Sequence, residues 1–187
     1  LALLALLSLG LLPLAIRAQD PPGAGAGEGP PPTWKQIESL IADQRFAEAL
    51  AGVERIRAAA EGAGQTADWT RALLTRAELR AALGQVETGV EELRHADWPA
   101  EPAARAALSL HVGQGLRDYL ETYSWEVRQR ERVAGGREAG LELWSAEEIA
   151  DEAVAAFAAA WRERAALGRR RAGDLPGLVA NGYPREV

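Results

Sequence analysis

Residues 33–56 read TWKQIESLIADQRFAEALAGVERI, and the fold turns on them. Trp34, Ile37, Leu40 and Ile41 recur at the three-and-four spacing that lines one face of an α-helix, with Thr33 ahead of them as an N-cap. The first helix is therefore expected to run to about Asp43. After a short turn at Asp43, Gln44 and Arg45 the stripe resumes at Phe46, Ala49, Leu50, Val53 and Ile56, until Gly62 and Gly64 break it. Two amphipathic helices joined so closely form an αα-hairpin, with Trp34 and Leu50 expected in its core.

A second hairpin follows. Leu73, Leu74, Ala77 and Ala81 lead to a turn at Gly84 and Gln85, then Val86, Val90 and Leu93 carry the stripe to Trp98 and Pro99. Phe46 aligns with Val86, Ala49 with Gly89, Leu50 with Val90 and Val53 with Leu93, so the two hairpins repeat at a constant offset. Small residues at the crossing point and a Pro after the second helix resemble the tetratricopeptide hairpin, although that repeat has a period of about 34 residues.

A long helix is expected from Glu101 and Pro102, with Leu108, Val112, Leu116, Tyr119, Leu120, Tyr123 and Val127 along one face. A polar, Gly-containing stretch from about Arg130 to Gly140 separates it from the last clear helix. There Ser145 and Glu148 form a capping box, with Trp144 and Ile149 at the staple positions. The inward face of this helix is expected to be Ile149, Ala153, Ala156, Phe157, Ala160 and Trp161, and its end is expected near Gly168.

The flanks differ in kind. Leu1 to Ala15 is apolar except for Ser8, broken by Gly10 and Pro13, and closed by Arg17 and an Ala18-Gln19-Asp20 junction. The run is too short for a transmembrane span of about 20 residues and suits a signal peptide over residues 1–18, with a buried helix as the alternative. With no Met or basic segment ahead of Leu1, the sequence is expected to be incomplete at its start. Residues 19–32 (QDPPGAGAGEGPPP) read as a disordered Pro/Gly linker in which no packed structure should form. The helical-hairpin domain is expected over 33–172 and a connector to further domains over 173–187. The fold class is all-α, an antiparallel hairpin stack of tetratricopeptide-like kind.

Composition narrows the function. An apolar fraction of 48% supports a packed core, and the formal charge of −6 argues against nucleic acid as a partner. Arg169-Arg170-Arg171 reads as the cationic end of a helix. No cysteine is present, so disulfides, thiol catalysis, thiolate metal sites and a lipid-modified N-terminal Cys are excluded within the chain.

His95 and His111 fall on different helices without the acidic partners of a triad or metal set. Glu91-Glu92, Glu147-Glu148 and Asp151-Glu152 are adjacent pairs that point apart. Glu148 and Glu152 share a face but read as solvated carboxylates. Gly62 to Gly64 and Gly135-Gly136 lack the Lys-Ser/Thr of a phosphate loop and read as breakers. No catalytic, cofactor-binding or metal-ligating residue is therefore assigned, no cofactor is expected, and the chain does not read as an enzyme. The six Trp residues, 34, 69, 98, 125, 144 and 161, are expected to fill seams between hairpins, each indole donor finding a partner. The alternative is a peptide groove lined by some of them.

The run Thr33 to Ile41, followed by Ala49-Leu50, Val53, Ile56 and Ala60, is similar to the opening of the large bacterial α2-macroglobulin-like proteins. Leu141 to Phe157, with its Trp ahead of a capped helix, looks like a later part of the same region. The resemblance implies that this chain is the N-terminal targeting and scaffold portion of an exported endopeptidase inhibitor. Proteases would then be partners through the full-length protein, and trapping would reside in macroglobulin-type β-sandwich domains downstream. No bait segment or thioester is recognisable here, so no functional residue is carried over. The residues alone leave open a second reading, a tetratricopeptide-like module of the cell envelope with protein or peptide partners. In both readings the chain is exported to a periplasmic, cell-envelope or extracellular location, and it meets the membrane only through its N-terminal signal.

Overall fold

A computed structural model describes residues 29–130, 140–169 and 171. The expected signal peptide, most of the linker, Gly135-Gly136, Arg170 and the expected connector lie outside the described residues. Gly29 and Pro30 belong to a unit ending at Pro30 and have no regular secondary structure. The account below concerns the unit that begins at Pro31.

That unit is all-α among its described residues. In chain order the helices are α1 (Trp34–Ala42), α2 (Phe46–Gly62), α3 (Thr66–Ala82), α4 (Val86–His95), α5 (Pro102–Thr122) and α6 (Ser124–Val127), then, after a 3-10 turn at Leu141–Leu143, α7 (Ala146–Arg162) and α8 (Arg164–Leu167). Thr33 caps α1 as expected, and Gln36 returns the bond to the Thr33 backbone N–H at 2.7 Å, completing a capping box. Pro32, assigned to the linker, is half-buried and stands over Gly52 of α2, so packing begins earlier than residue 33.

The first four helices are joined by one turn used three times. Gln44 (φ 58°), Gly64 (φ 65°) and Gly84 (φ 74°) each adopt the left-handed conformation, spaced 20 residues apart. The following N–H bonds back to a carbonyl five residues earlier in every case: Arg45 to Leu40, Gln65 to Ala60 and Gln85 to Arg80, all at 2.8 Å. This is the C-terminal closure that recovers otherwise unsatisfied helix carbonyls. Gly62 to Gly64 is thus no break between two hairpins. It is a third tight turn, and α2 packs against α3 along its length.

Gln44 is the only described non-Gly residue with positive φ. Gln44→Gly should raise stability by about 0.5–1 kcal/mol, because Gly reaches this conformation without a Cβ clash. A urea melt showing a loss instead would mean that the Gln side chain outweighs the backbone cost.

α4 ends differently. Ala96 is extended (ψ 151°), so side chains take over the final carbonyls. Arg76 Nη2 donates to Glu92 O at 3.0 Å, Trp98 Nε1 to Leu93 O at 2.8 Å, and the His95 ring lies 2.9 Å from Glu91 O.

Two apolar clusters share α3. Ala72 and Leu79 join Ile37, Ala49, Val53 and Ile56 from α1 and α2, whereas Leu73 and Leu74 join Val90, Leu93, Leu108, Val112, Leu116, Tyr119, Trp144 and Ile149. α3 is thus buried on both sides, with one cluster toward α1 and α2 and the other toward α4, α5 and α7. The expected face of α5 is the buried one as far as Tyr119, but the helix does not run on unbroken: it ends at Thr122, and the buried Val127 belongs to α6. Trp34 and Leu50 flank the core half-buried, and Ile37 and Val53 occupy its centre. At the α5/α7 crossing a Cβ on Gly113 would meet the Phe157 ring at 2.7 Å, so only Gly allows this approach.

α7 carries the capping box expected at Ser145 and Glu148, and both Trp144 and Ile149 are fully buried. Two expectations for this helix are corrected: it ends at Arg162, six residues short of Gly168, with α8 following separately, and Trp161 is 68% exposed, not inward. At 100° per residue it stands about 120° around the helix from Ile149, off the stripe that Ala153 and Ala160 continue.

Candidate functional site

Helices α3 and α5 stand either side of α4 and leave a groove of about 320 Å3. α4 supplies its floor: Val86, Gly89, Val90 and Leu93. Ala77, Glu78 and Ala81 of α3 form one wall, and His111, Gln114, Gly115, Asp118 and Thr122 of α5 form the other. The two glycines set the depth. A Cβ on Gly89 would lie 3.2 Å from Ala77 O, and one on Gly115 would lie 2.8 Å from Val90 Cγ2, so both helices press onto α4 where side chains are missing.

The polar groups of the groove sit on its walls. Burial lowers the pKa of His111, partly offset by the Asp118 carboxylate, so the ring is a neutral donor and acceptor near pH 7. Glu78 is an exposed residue, but loss of water around its carboxyl from the neighbouring groups raises its pKa. None of the six Trp residues lines this groove.

The seam expectation holds for part of the Trp set. Trp34 donates to Asp68 at 2.7 Å under the Arg71 guanidinium, and Trp98 caps α4. Trp69 is half-buried, with an indole N–H that finds no partner among the described residues. Trp125 is 77% exposed and, like Trp161, fills no seam.

A second cleft of about 300 Å3 lies between α4, α5 and α7, lined by Arg94, His95, Trp98, Arg105, Ser109 and Glu152 among others. Arg94 there is committed to the fold: it meets Glu152 at 3.3 Å and stacks 4.5 Å over the Trp144 ring. His95 and His111 therefore face different cavities. Of the weighed carboxylates, Glu148 is buried in its capping box, Glu92 meets Arg80 at 2.7 Å, and Glu91 accepts the Leu141 N–H at 2.6 Å. No group of three or more His, Asp or Glu suited to a metal occurs among the described residues.

A polar cluster ties α4 to Arg130 and Leu141. Tyr119, fully buried on α5, donates its hydroxyl to Glu87 of α4. Arg130 donates to the Tyr119 hydroxyl at 3.2 Å and to Leu141 O at 3.3 Å, while Glu91 holds Leu141 N–H. Burial, then the Glu87 carboxylate, pushes the Tyr119 phenol up to about 12. A phenol raised in the folded state stabilises the fold fully below its unfolded value near 10, and the contribution is lost as pH rises through about 12. Urea midpoints should fall across that window, and the fall should shrink in Tyr119→Phe. An unchanged alkaline limb in the variant would rule this phenol out as its source.

No family model, curated protein or solved structure matches the chain. The class defined by the fold and groove is thus a helical-hairpin stack with an open, apolar-floored cleft.

Proposed function

We propose that the chain is the scaffold and docking portion of an exported protein, and that the α3/α4/α5 groove takes a short segment of a partner protein. The observation that carries the reading is the groove itself, an apolar floor from α4 between polar walls on α3 and α5. Peptide-binding helical stacks use such a floor for affinity and such walls for selection. Export rests on the pattern of Leu1 to Ala18. Among the described residues no helix is long and apolar enough to cross a membrane.

The test is selection of displayed peptides on the full chain, counter-screened with Ala81→Trp. Ala81 is exposed on the α3 wall, so the substitution fills the groove without entering the core. Enriched peptides are expected to lose binding to the variant. No enrichment, or equal binding to both proteins, overturns the reading.

The resemblance of Thr33–Ile41 and Leu141–Phe157 to α2-macroglobulin-like proteins supports a narrower form of the proposal. In it the scaffold belongs to an endopeptidase inhibitor whose trapping domains follow Val187. Coding sequence downstream of Val187 with β-sandwich patterns would support that form, and a stop codon or a different pattern would remove it, leaving the tetratricopeptide-like envelope module.

A further inference from the structure

Resting on the docking reading, the charge of the groove selects among partners. Two carboxylates, Glu78 on α3 and Asp118 on α5, face each other across an apolar floor, and no Lys or Arg is among the lining residues. The third titratable group, His111, is held neutral near pH 7 by its burial, and α4 contributes none. Glu78 makes no ion pair among the described residues. Among the described residues Asp118 pairs only with Arg117, its neighbour along the chain, at 2.6 Å, where both side chains are more than half exposed. An ion pair that open to water contributes little and leaves the carboxylate available.

Three carboxylates at other helix contacts differ. Glu54, Glu92 and Glu152 are each matched by an arginine from another helix. Glu78 and Asp118 are both exposed, so a cation entering the groove can reach either one.

We infer that the groove binds a short basic-apolar peptide segment, its apolar side chains against Val86 and the apolar floor and its Arg or Lys between Glu78 and Asp118. An acidic segment would add like charges in a confined space and is disfavoured.

The full chain is titrated, by fluorescence anisotropy, into two labelled ten-residue peptides of the same Leu and Val content. One carries two Arg, and the other carries two Glu at the same positions. The Arg peptide is expected to bind at least ten-fold more tightly, with affinity falling as salt rises. Glu78→Gln with Asp118→Asn should remove most of that preference, and Ala81→Trp should remove binding altogether. Circular dichroism melts confirm that each variant is folded.

Equal binding of the two peptides, lost in Ala81→Trp and unaffected by the charge variant, would overturn the charge inference and leave the docking groove standing. If neither peptide binds, or binding survives Ala81→Trp, the docking reading falls as well.

Discussion

Trp144→Ala will lower the unfolding free energy by about 3–5 kcal/mol, the range for removing a fully buried aromatic side chain. Trp144 is 1% exposed, packs in the cluster shared by α3, α4, α5 and α7, and carries the Arg94 guanidinium over its ring. Its loss opens a cavity and strips the staple from the start of α7. Melting temperature should fall by roughly 10 °C for a chain of this size. Trp125→Ala and Trp161→Ala, at 77% and 68% exposure, should each change stability by less than about 0.5 kcal/mol. Thermal melts of the three variants separate the cases. Equal losses would mean that the exposed pair is covered in the folded protein.

Arg76→Ala should cost about 2–3 kcal/mol, the worth of hydrogen bonds to charged groups together with the carbonyl left behind. Arg76 joins three helices: from α3 it reaches Glu54 of α2 at 3.3 Å, the Glu92 carboxylate of α4 at 3.5 Å and Glu92 O at 3.0 Å. Its side chain is 11% exposed, whereas the two carboxylates are about a third exposed and keep Arg57 and Arg80 as partners. Those remaining pairs hold the loss below that of a fully buried charge.

The same variant has a signature in acid. Burial pushes the Glu54 carboxyl up, but Arg57 and Arg76 outweigh it and hold it below its ordinary 4.5. A carboxylate lowered in this way contributes stability that is present above about pH 4.5 and lost as pH falls through the folded value. Chemical melts from pH 6 to 3 should therefore show a shallower acid limb in Arg76→Ala than in the wild type. Parallel limbs would show that Glu54 draws its stabilisation from Arg57 alone.

Features carried by neighbouring residues were legible in the sequence. Thr33 and Ser145 announce two helix starts by their side-chain chemistry, and α5 shows its buried face as a stripe from Leu108 to Tyr119. The start of α3 was hidden because a Gly pair reads as an interruption. Gly64-Gln65 and Gly84-Gln85 recur at the spacing of one helix and could have shown that the same turn was in use. Trp161 ends an apolar run yet stands off the stripe by angle, so composition alone points it the wrong way.

The groove could not be read at all. Val90 and Leu93 serve both the core and its floor, and only the three-dimensional crossing separates the two duties. Gly89 and Gly115 were its sole sequence trace, two helical positions where Ala would have been the easier residue.

The left-handed turns at residues 44, 64 and 84 each reverse the chain after one helix. A stack built this way counts in twos. Removing a single 20-residue unit would deliver every later helix to the opposite edge, with its inner face turned outward. Removing two units would shorten the stack and leave direction and facing intact. Length change in such a chain is thus governed by parity: hairpins can be gained or lost, and lone helices cannot.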